Sequence, residues 1–275
     1  GIELALNFEN TWRNFTWMSG LTYSMNKNKI ESLADNVINP ITGQLFSIPS
    51  LDMGGYADLR FILREGGSMG DLYSRTDLRR DANGAIYMDE SNNVYTQKID
   101  NPDSYIKLGS VLPKGNLAWR NNFMWKNFHV GFMISARLGG VVFSRTQAIL
   151  DKFGVSEASA DARDNGFVLI NGNDRVNPEN WYTTVGSTAV PQYYTYSATN
   201  VRLQEASIGY TIPRKWLANV CDIKVSLIGR NLWMIYNKAP FDPEAVASTD
   251  NFYQGIDNFM MPSLRNVGFS LNFKF

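Results

Sequence analysis

The 275-residue sequence predicts an all-β fold, a transmembrane antiparallel β-barrel, and three observations carry that expectation. At the carboxy end Val267, Phe269, Leu271, Phe273 and Phe275 fall on one side of an extended chain, and Asn266, Gly268, Ser270, Asn272 and Lys274 on the other. Such a strand has one face for hydrocarbon and one for water, and about ten tilted residues suffice to cross a bilayer. No stretch approaches a helical span: even the run from Phe128 to Phe143 is broken by His129, Ser135, Arg137 and glycines, short of the roughly 18 apolar residues required. Aromatic residues make up 13% of the chain while its mean hydropathy is negative, as expected when apolar side chains come only every second position.

Alternation places about nine strands, near residues 2–10, 15–26, 55–65, 69–80, 114–125, 127–143, 198–212, 221–237 and 264–275. The first sets Ile2, Leu4, Leu6 and Phe8 against Glu3, Ala5, Asn7 and Glu9. In 200–212, Val201 and Leu203 fall on one parity and Ala206, Ile208, Tyr210 and Ile212 on the other, which predicts a β-bulge near Gln204 and Glu205. In 222–237 the parity of Ile223, Val225 and Leu227 is clean and directs Lys224, Ser226 and Arg230 toward a watery lumen. Connections alternate in length: Asn10–Asn14, Gly66–Ser68, Lys126–Asn127 and Arg214–Val220 are short, whereas Lys27–Gly54, Asp81–Pro113, Ser144–Ser197 and Lys238–Ser263 are long. Outer-membrane barrels show this asymmetry, with short periplasmic turns and long extracellular loops. Trp12, Trp17, Trp125, Phe128 and Trp216, with Phe15 and Phe123, flank the short turns as an aromatic girdle at the headgroup level.

An odd strand count would leave the first strand starting at the outer side, and bacterial single-chain barrels have an even count with both ends periplasmic. Nine strands alone would also leave two unpaired edges in lipid. With no signal peptide at Gly1, the expectation is one domain over residues 1–275, the carboxy-terminal portion of a longer barrel.

The remaining chemistry is sparse. A net charge of zero gives no reason to expect nucleic acid. One cysteine, Cys221, and one histidine, His129, exclude an internal disulfide and argue against a His/Cys metal cluster. A catalytic triad would need His129, which sits beside a turn; no catalytic set, cofactor or metal is expected. Asp242 and Glu244 suit turn stabilisation, with a glycosidase pair or calcium site as the alternative. Asp151, Asp161, Asp164 and Asp174 lack the spacing of a calcium-binding loop, and Gly54-Gly55, Gly66-Gly67 and Gly139-Gly140 are turns or kinks rather than phosphate loops. Trp181, Tyr182, Tyr193, Tyr194 and Tyr196 form an aromatic segment near the outer mouth. Either it stacks on a sugar or grips a peptide, or its rings hold the loop to the rim.

Several motifs go beyond pattern. Tyr193-Tyr-Thr-Tyr-Ser-Ala-Thr-Asn-Val-Arg-Leu-Gln-Glu-Ala-Ser-Ile-Gly-Tyr-Thr-Ile-Pro213, Gly229-Arg-Asn-Leu-Trp233 and Phe241-Asp-Pro-Glu244 resemble the end of SusC/RagA-like TonB-dependent transporters. Phe15-Thr-Trp17, Asn26-Lys-Asn-Lys-Ile30, Gly109-Ser-Val-Leu-Pro113 and Lys126-Asn-Phe128 continue the resemblance upstream, in the family's order. Ala206 and Trp233 depart from its usual residues. The resemblance implies a plugged 22-stranded barrel of which this chain is strands 14 to 22, while the signal peptide, TonB box, plug and early strands lie outside it. It further implies TonB-driven import of an oligosaccharide or peptide across the bacterial outer membrane, beneath a SusD-like lipoprotein lid. Phe275 would then be the aromatic end read by the barrel assembly machinery. A soluble carbohydrate-binding or hydrolytic β-module, or a passive channel or adhesin on the same barrel, is the competing reading.

Overall fold

A computed structural model describes residues 1–187, 190–248 and 253–275. Its main feature is a seven-stranded antiparallel sheet in which each strand neighbours the next along the chain. These wall strands are β1 (Ile2–Trp12), β2 (Phe15–Met25), β3 (Gly115–Trp125), β4 (Phe128–Leu138), β5 (Asn200–Ile212), β6 (Asp222–Asn237) and β7 (Asn266–Lys274). The turns after β1 and β3 hold only two residues each, with positive φ at Arg13 and Lys126, and the Lys126 amide donates to the Asn14 carbonyl at 2.9 Å. All three long connections, 26–114, 139–199 and 238–265, leave from the opposite end.

Register decides what each face carries. Ile223 pairs with Phe273, Val225 with Leu271 and Leu227 with Phe269, while Lys224 faces Asn272 and Ser226 faces Ser270. The rows run on through Val225↔Tyr210 and Leu227↔Ile208, then Tyr210↔Phe128 and Ile208↔Val130. Because side chains alternate with period two, this keeps one face apolar and the other mainly polar from β1 to β7. The bulge falls where parity changes: Met133 pairs with Glu205 and Ile134 with Leu203, so Gln204 is the extra residue. It re-phases β5, so Leu203 and Ile208 share the apolar face although their numbers differ in parity.

Burial in the wall inverts the rule for soluble sheets. No apolar side chain within the seven strands is buried; the buried wall side chains are Asn121, Asn200, Arg202 and Ser226. The hydrophobic core lies instead in the long connections, where Leu59, Phe61, Leu72, Val111, Phe143 and Trp181 are among one cluster of buried residues. These connections are a folded outer layer. Strands 50–56, 59–64, 71–74 and 106–110 form a four-stranded sheet, and α1 (Arg145–Lys152), α2 (Glu157–Asn165) and α3 (Pro178–Gly186) occupy what alternation leaves as open loop. Ser144, Ser156 and Asn177 cap the three helices with their side-chain oxygens.

Two expectations are corrected. The segments 55–65 and 69–80 do not enter the wall: β2 pairs directly with β3, so the wall has seven strands rather than nine. The regular strands there are only six and four residues long, too short to span a bilayer, which takes about nine to eleven. Their apolar residues are covered by the outer-layer core rather than by lipid. Gly66–Ser68 is accordingly a turn of the outer layer, where the Gly66 amide bonds the Ile30 carbonyl. The long strand expected at 127–143 ends at Leu138, because Gly139 and Gly140 take φ of 75° and 84° and turn the chain into strand 141–144. β1 starts at the long-connection end and β7 finishes at the short-turn end.

Candidate functional site

The polar face and the outer layer meet at an ion cluster centred on the buried Arg202. Arg202 on β5 donates through Nη2 to Asp242 Oδ1 at 2.8 Å and sits 3.1 Å from Glu244 Oε2. Its Nε bonds Asn200 Oδ1 at 3.3 Å, and Asn200 Nδ2 reaches Glu244 Oε1 at 3.4 Å. Asp242 also accepts from the Ser263 amide, so one carboxylate ties the start of the 238–265 connection to its end. Burial alone would push the Asp242 carboxyl up, but the hydrogen bonds from Ser263 and Arg202 outweigh it and hold the group below its ordinary value. Of the two weighed roles for Asp242 and Glu244, the structure supplies the stabilising one, with Arg202 as the partner that spacing did not reveal. Among the described residues no group of three or more metal-ligating side chains converges.

Two further motif stretches are explained the same way. Asn231, in the Gly229–Trp233 stretch, takes φ 51° opposite the bulge, accepts from Gln204 Nε2 at 3.0 Å and donates to the Leu264 carbonyl at 3.2 Å. Val111, in the Gly109–Pro113 stretch, is fully buried, and its carbonyl accepts from Arg137 Nη2 on β4 at 2.7 Å. The motif residues are therefore the joints that fix the outer layer to the wall.

The aromatic segment divides. Trp181 and Tyr194 are core residues: Trp181 packs edge-on against Tyr193 at 5.4 Å, and the Tyr194 hydroxyl donates to Asp151 Oδ2 at 2.9 Å. They present no ring to a ligand, which corrects their place in a binding platform. Tyr182 is half-buried with its hydroxyl on the Ala158 carbonyl, and Tyr196 packs edge-on against Phe241 at 5.6 Å while still lining a cavity. Burial first and then the Asp151 charge raise the phenols of Tyr194 and Tyr196, the latter to about 12. A raised phenol stays neutral in the fold while the unfolded chain ionises near pH 10. The stability it contributes is complete below about pH 10 and falls as pH rises toward about 12. Alkaline titration of tyrosinate absorbance should show this class ionising only with loss of near-UV circular dichroism; ionisation without that loss would remove the argument.

The remaining singled-out residues are placed as follows. Lys224, Ser226 and Arg230 share the polar face, with Arg230 3.2 Å from Glu205. On the apolar face at the short-turn end, Trp12 stacks with Phe15 at 6.1 Å, Trp125 with Phe128 at 6.4 Å, and Phe128 meets Tyr210 at 4.8 Å. Trp17 lies one row deeper, stacked on Phe123 at 6.2 Å with its indole N–H on Asn121. Trp216 is exposed in the turn after β5. His129 bonds Thr211 Oγ1 across the wall at 2.9 Å. Phe275 follows β7 at the short-turn end and is exposed.

Comparison with known proteins agrees with this geometry. No family model matches the chain. TonB-dependent receptor P3 of Formosa agariphila is 26% identical over 100% of this chain and 28% of its own length. TonB-dependent receptor P26 of the same organism is 25% identical over 100% of this chain and 29% of its own length. The chain thus spans less than a third of these curated relatives. The solved RagAB peptide importer in its closed-closed state matches with a TM-score of 0.64 at 15% identity, over 99% of this chain and 29% of that one. Its open-open state matches with a TM-score of 0.64 at 14% identity, over 99% and 28%. At such identity the likeness is one of fold. Fold and wall chemistry together define a part of an outer-membrane β-barrel. Within that class the chain is similar to the carboxy-terminal part of a SusC/RagA-like TonB-dependent transporter.

Proposed function

We propose that this chain forms the carboxy-terminal wall and outer layer of a TonB-dependent importer, which moves an oligosaccharide or peptide across the outer membrane. The observation that carries the reading is the inverted wall: large apolar side chains exposed on six of the seven strands and buried on none, with the hydrophobic core confined to the outer layer. Water cannot be the solvent of that apolar face; lipid can. The short turns then lie on the periplasmic side with Trp12, Trp17, Trp125, Phe128 and Trp216 as their girdle, and Lys224, Ser226 and Arg230 line the lumen. The unpaired edges of β1 and β7 take the remaining strands of the same protein, which also brings the plug and the segment that engages TonB. A SusD-like lipoprotein rests on the outer layer, where Phe153 and Val155 at the turn between α1 and α2 are exposed and apolar.

The test uses the complete protein in cells. Uptake of the nutrient should disappear on deletion of TonB, the barrel should resist a salt wash and need detergent, and a lipoprotein should copurify. Recovery in the salt wash, or uptake indifferent to TonB, would defeat the proposal. Deleting Phe275 should lower the amount of assembled barrel several-fold before it alters transport per assembled molecule, measured by heat-modifiable migration; unchanged barrel levels would exclude an assembly role.

A further inference from the structure

One cavity of about 740 Å³ is bounded by strand edges rather than strand faces. Residues 106 to 110 line it consecutively, as do 139 to 141 and 195 to 197. A face would contribute only alternate residues, so unbroken runs mean that backbone is exposed. Strand Ile106–Ser110 ends the four-stranded sheet, and strand Thr195–Ser197 ends a three-stranded one. Neither has a second partner strand among the described residues. Gly109, Gly139 and Gly140 lie along the same runs, where Val141, Lys114 and the Val111 carbonyl approach too closely to admit a side chain. Gln192 adds an orphan: its Nε2 is held by Asp77 at 2.7 Å, while its Oε1 is buried without a partner. Unpaired strand edges and a free carbonyl ask for a ligand with N–H and C=O groups in strand spacing.

The charge is one-sided. An adjoining cavity of about 670 Å³ shares Lys107 and Lys114 and adds Lys27 and Lys29. No aspartate or glutamate lines either cavity, although the chain carries 26 acidic and 26 basic residues. Lys107 is neutralised by Asp71 and Lys29 by Glu31; Lys27 and Lys114 are in none of the ion pairs among the described residues. The 740 Å³ cavity offers one aromatic ring, Tyr196, already engaged by Phe241. A sugar would lack a stacking platform there.

We propose that this pair of cavities binds an acidic peptide in extended form. The peptide adds as a strand of roughly four or five residues against Ile106–Ser110 and places its carboxylates toward Lys114 and Lys27. The inference rests on the import reading and narrows its substrate class.

The experiment measures binding of fluorescent hexapeptides to the complete transporter in detergent. An Asp/Glu-containing peptide should bind at least tenfold tighter than its Asn/Gln counterpart. Methylating alternate backbone nitrogens in one phase should weaken it tenfold or more, while the opposite phase should cost little, since only one set of N–H groups faces the edge. The double variant Lys27→Gln, Lys114→Gln should bind about tenfold more weakly, with unchanged heat-modifiable migration to show that the barrel is folded. Equal binding of both methylated phases and the parent would overturn strand addition, and equal binding of the neutral peptide would overturn the charge assignment. Tighter binding of a uronate or sulfated oligosaccharide would overturn the ligand class. TonB-dependent uptake is scored separately: uptake without peptide binding refutes this inference alone, and peptide binding without TonB-dependent uptake refutes the import reading.

Discussion

Replacing Leu227 with arginine is expected to destabilise the inserted barrel by about 2–4 kcal/mol, the cost of a cation on the lipid face near the bilayer midplane. The neighbouring change Ile228→Arg should cost little. Leu227 pairs with Ile208 on one side and Phe269 on the other, all exposed and apolar, so the guanidinium would displace hydrocarbon contacts and meet no water. Ile228 is on the other face, paired with Ser207 and Gly268, and nothing lies within 4 Å of where a Gly268 Cβ would be. An arginine there has space and solvent. Two adjacent residues at one depth thus report on opposite media. Urea titration of the complete barrel in phospholipid vesicles, followed by tryptophan emission, gives the comparison. Equal effects would mean that the apolar rows do not face lipid.

Replacing Arg202 with methionine is the second large effect. Arg202 is 4% exposed, and the change leaves the buried Asp242 carboxylate without its cation, while Glu244 keeps access to water. Removing one member of a buried pair costs about 3–5 kcal/mol, more than the pair itself contributes. The loss should appear as release of the 238–265 connection rather than as collapse of the wall, because wall strands β5 and β6 remain paired through their backbones. Hydrogen exchange should therefore rise in 238–248 and stay slow in 205–212. Acid should act in the same direction. The Asp242 carboxyl is held below its ordinary value, so its contribution is complete above the unfolded carboxylate value of about 3.9 and is lost as pH falls through the lower folded one. Uniform exchange across both segments in the variant would show that the cluster does not anchor the connection.

Much of the wall was legible in residues alone, for a definite reason. A strand with different media on its two faces must alternate, and β1, β5, β6 and β7 do so within a residue or two of their observed limits. The bulge at Gln204 was legible because an extra residue changes parity, and parity is a property of the sequence. The two strands at 55–65 and 69–80 were misplaced because alternation reports that an apolar face is covered, not what covers it. Lipid and the Phe143 side of the outer-layer core leave the same trace. The aromatic segment shows the same limit: five rings near a mouth look alike in sequence, but Asp151 takes the Tyr194 hydroxyl from a position 43 residues away.

Local sequence, then, determined the two-faced strands, the short turns that join them, the phase break in β5 and the absence of a helical span. Each depends on residues a few positions apart and on the fixed period of an extended chain. Only the tertiary structure decided that the long connections fold into one layer with its own core. It also decided that Arg202 is neutralised by carboxylates 40 residues away, and that two strand edges from distant segments border one basic cavity. Those are contacts between parts of the chain that no periodicity relates, fixed by which surfaces are left to bury once the wall has formed.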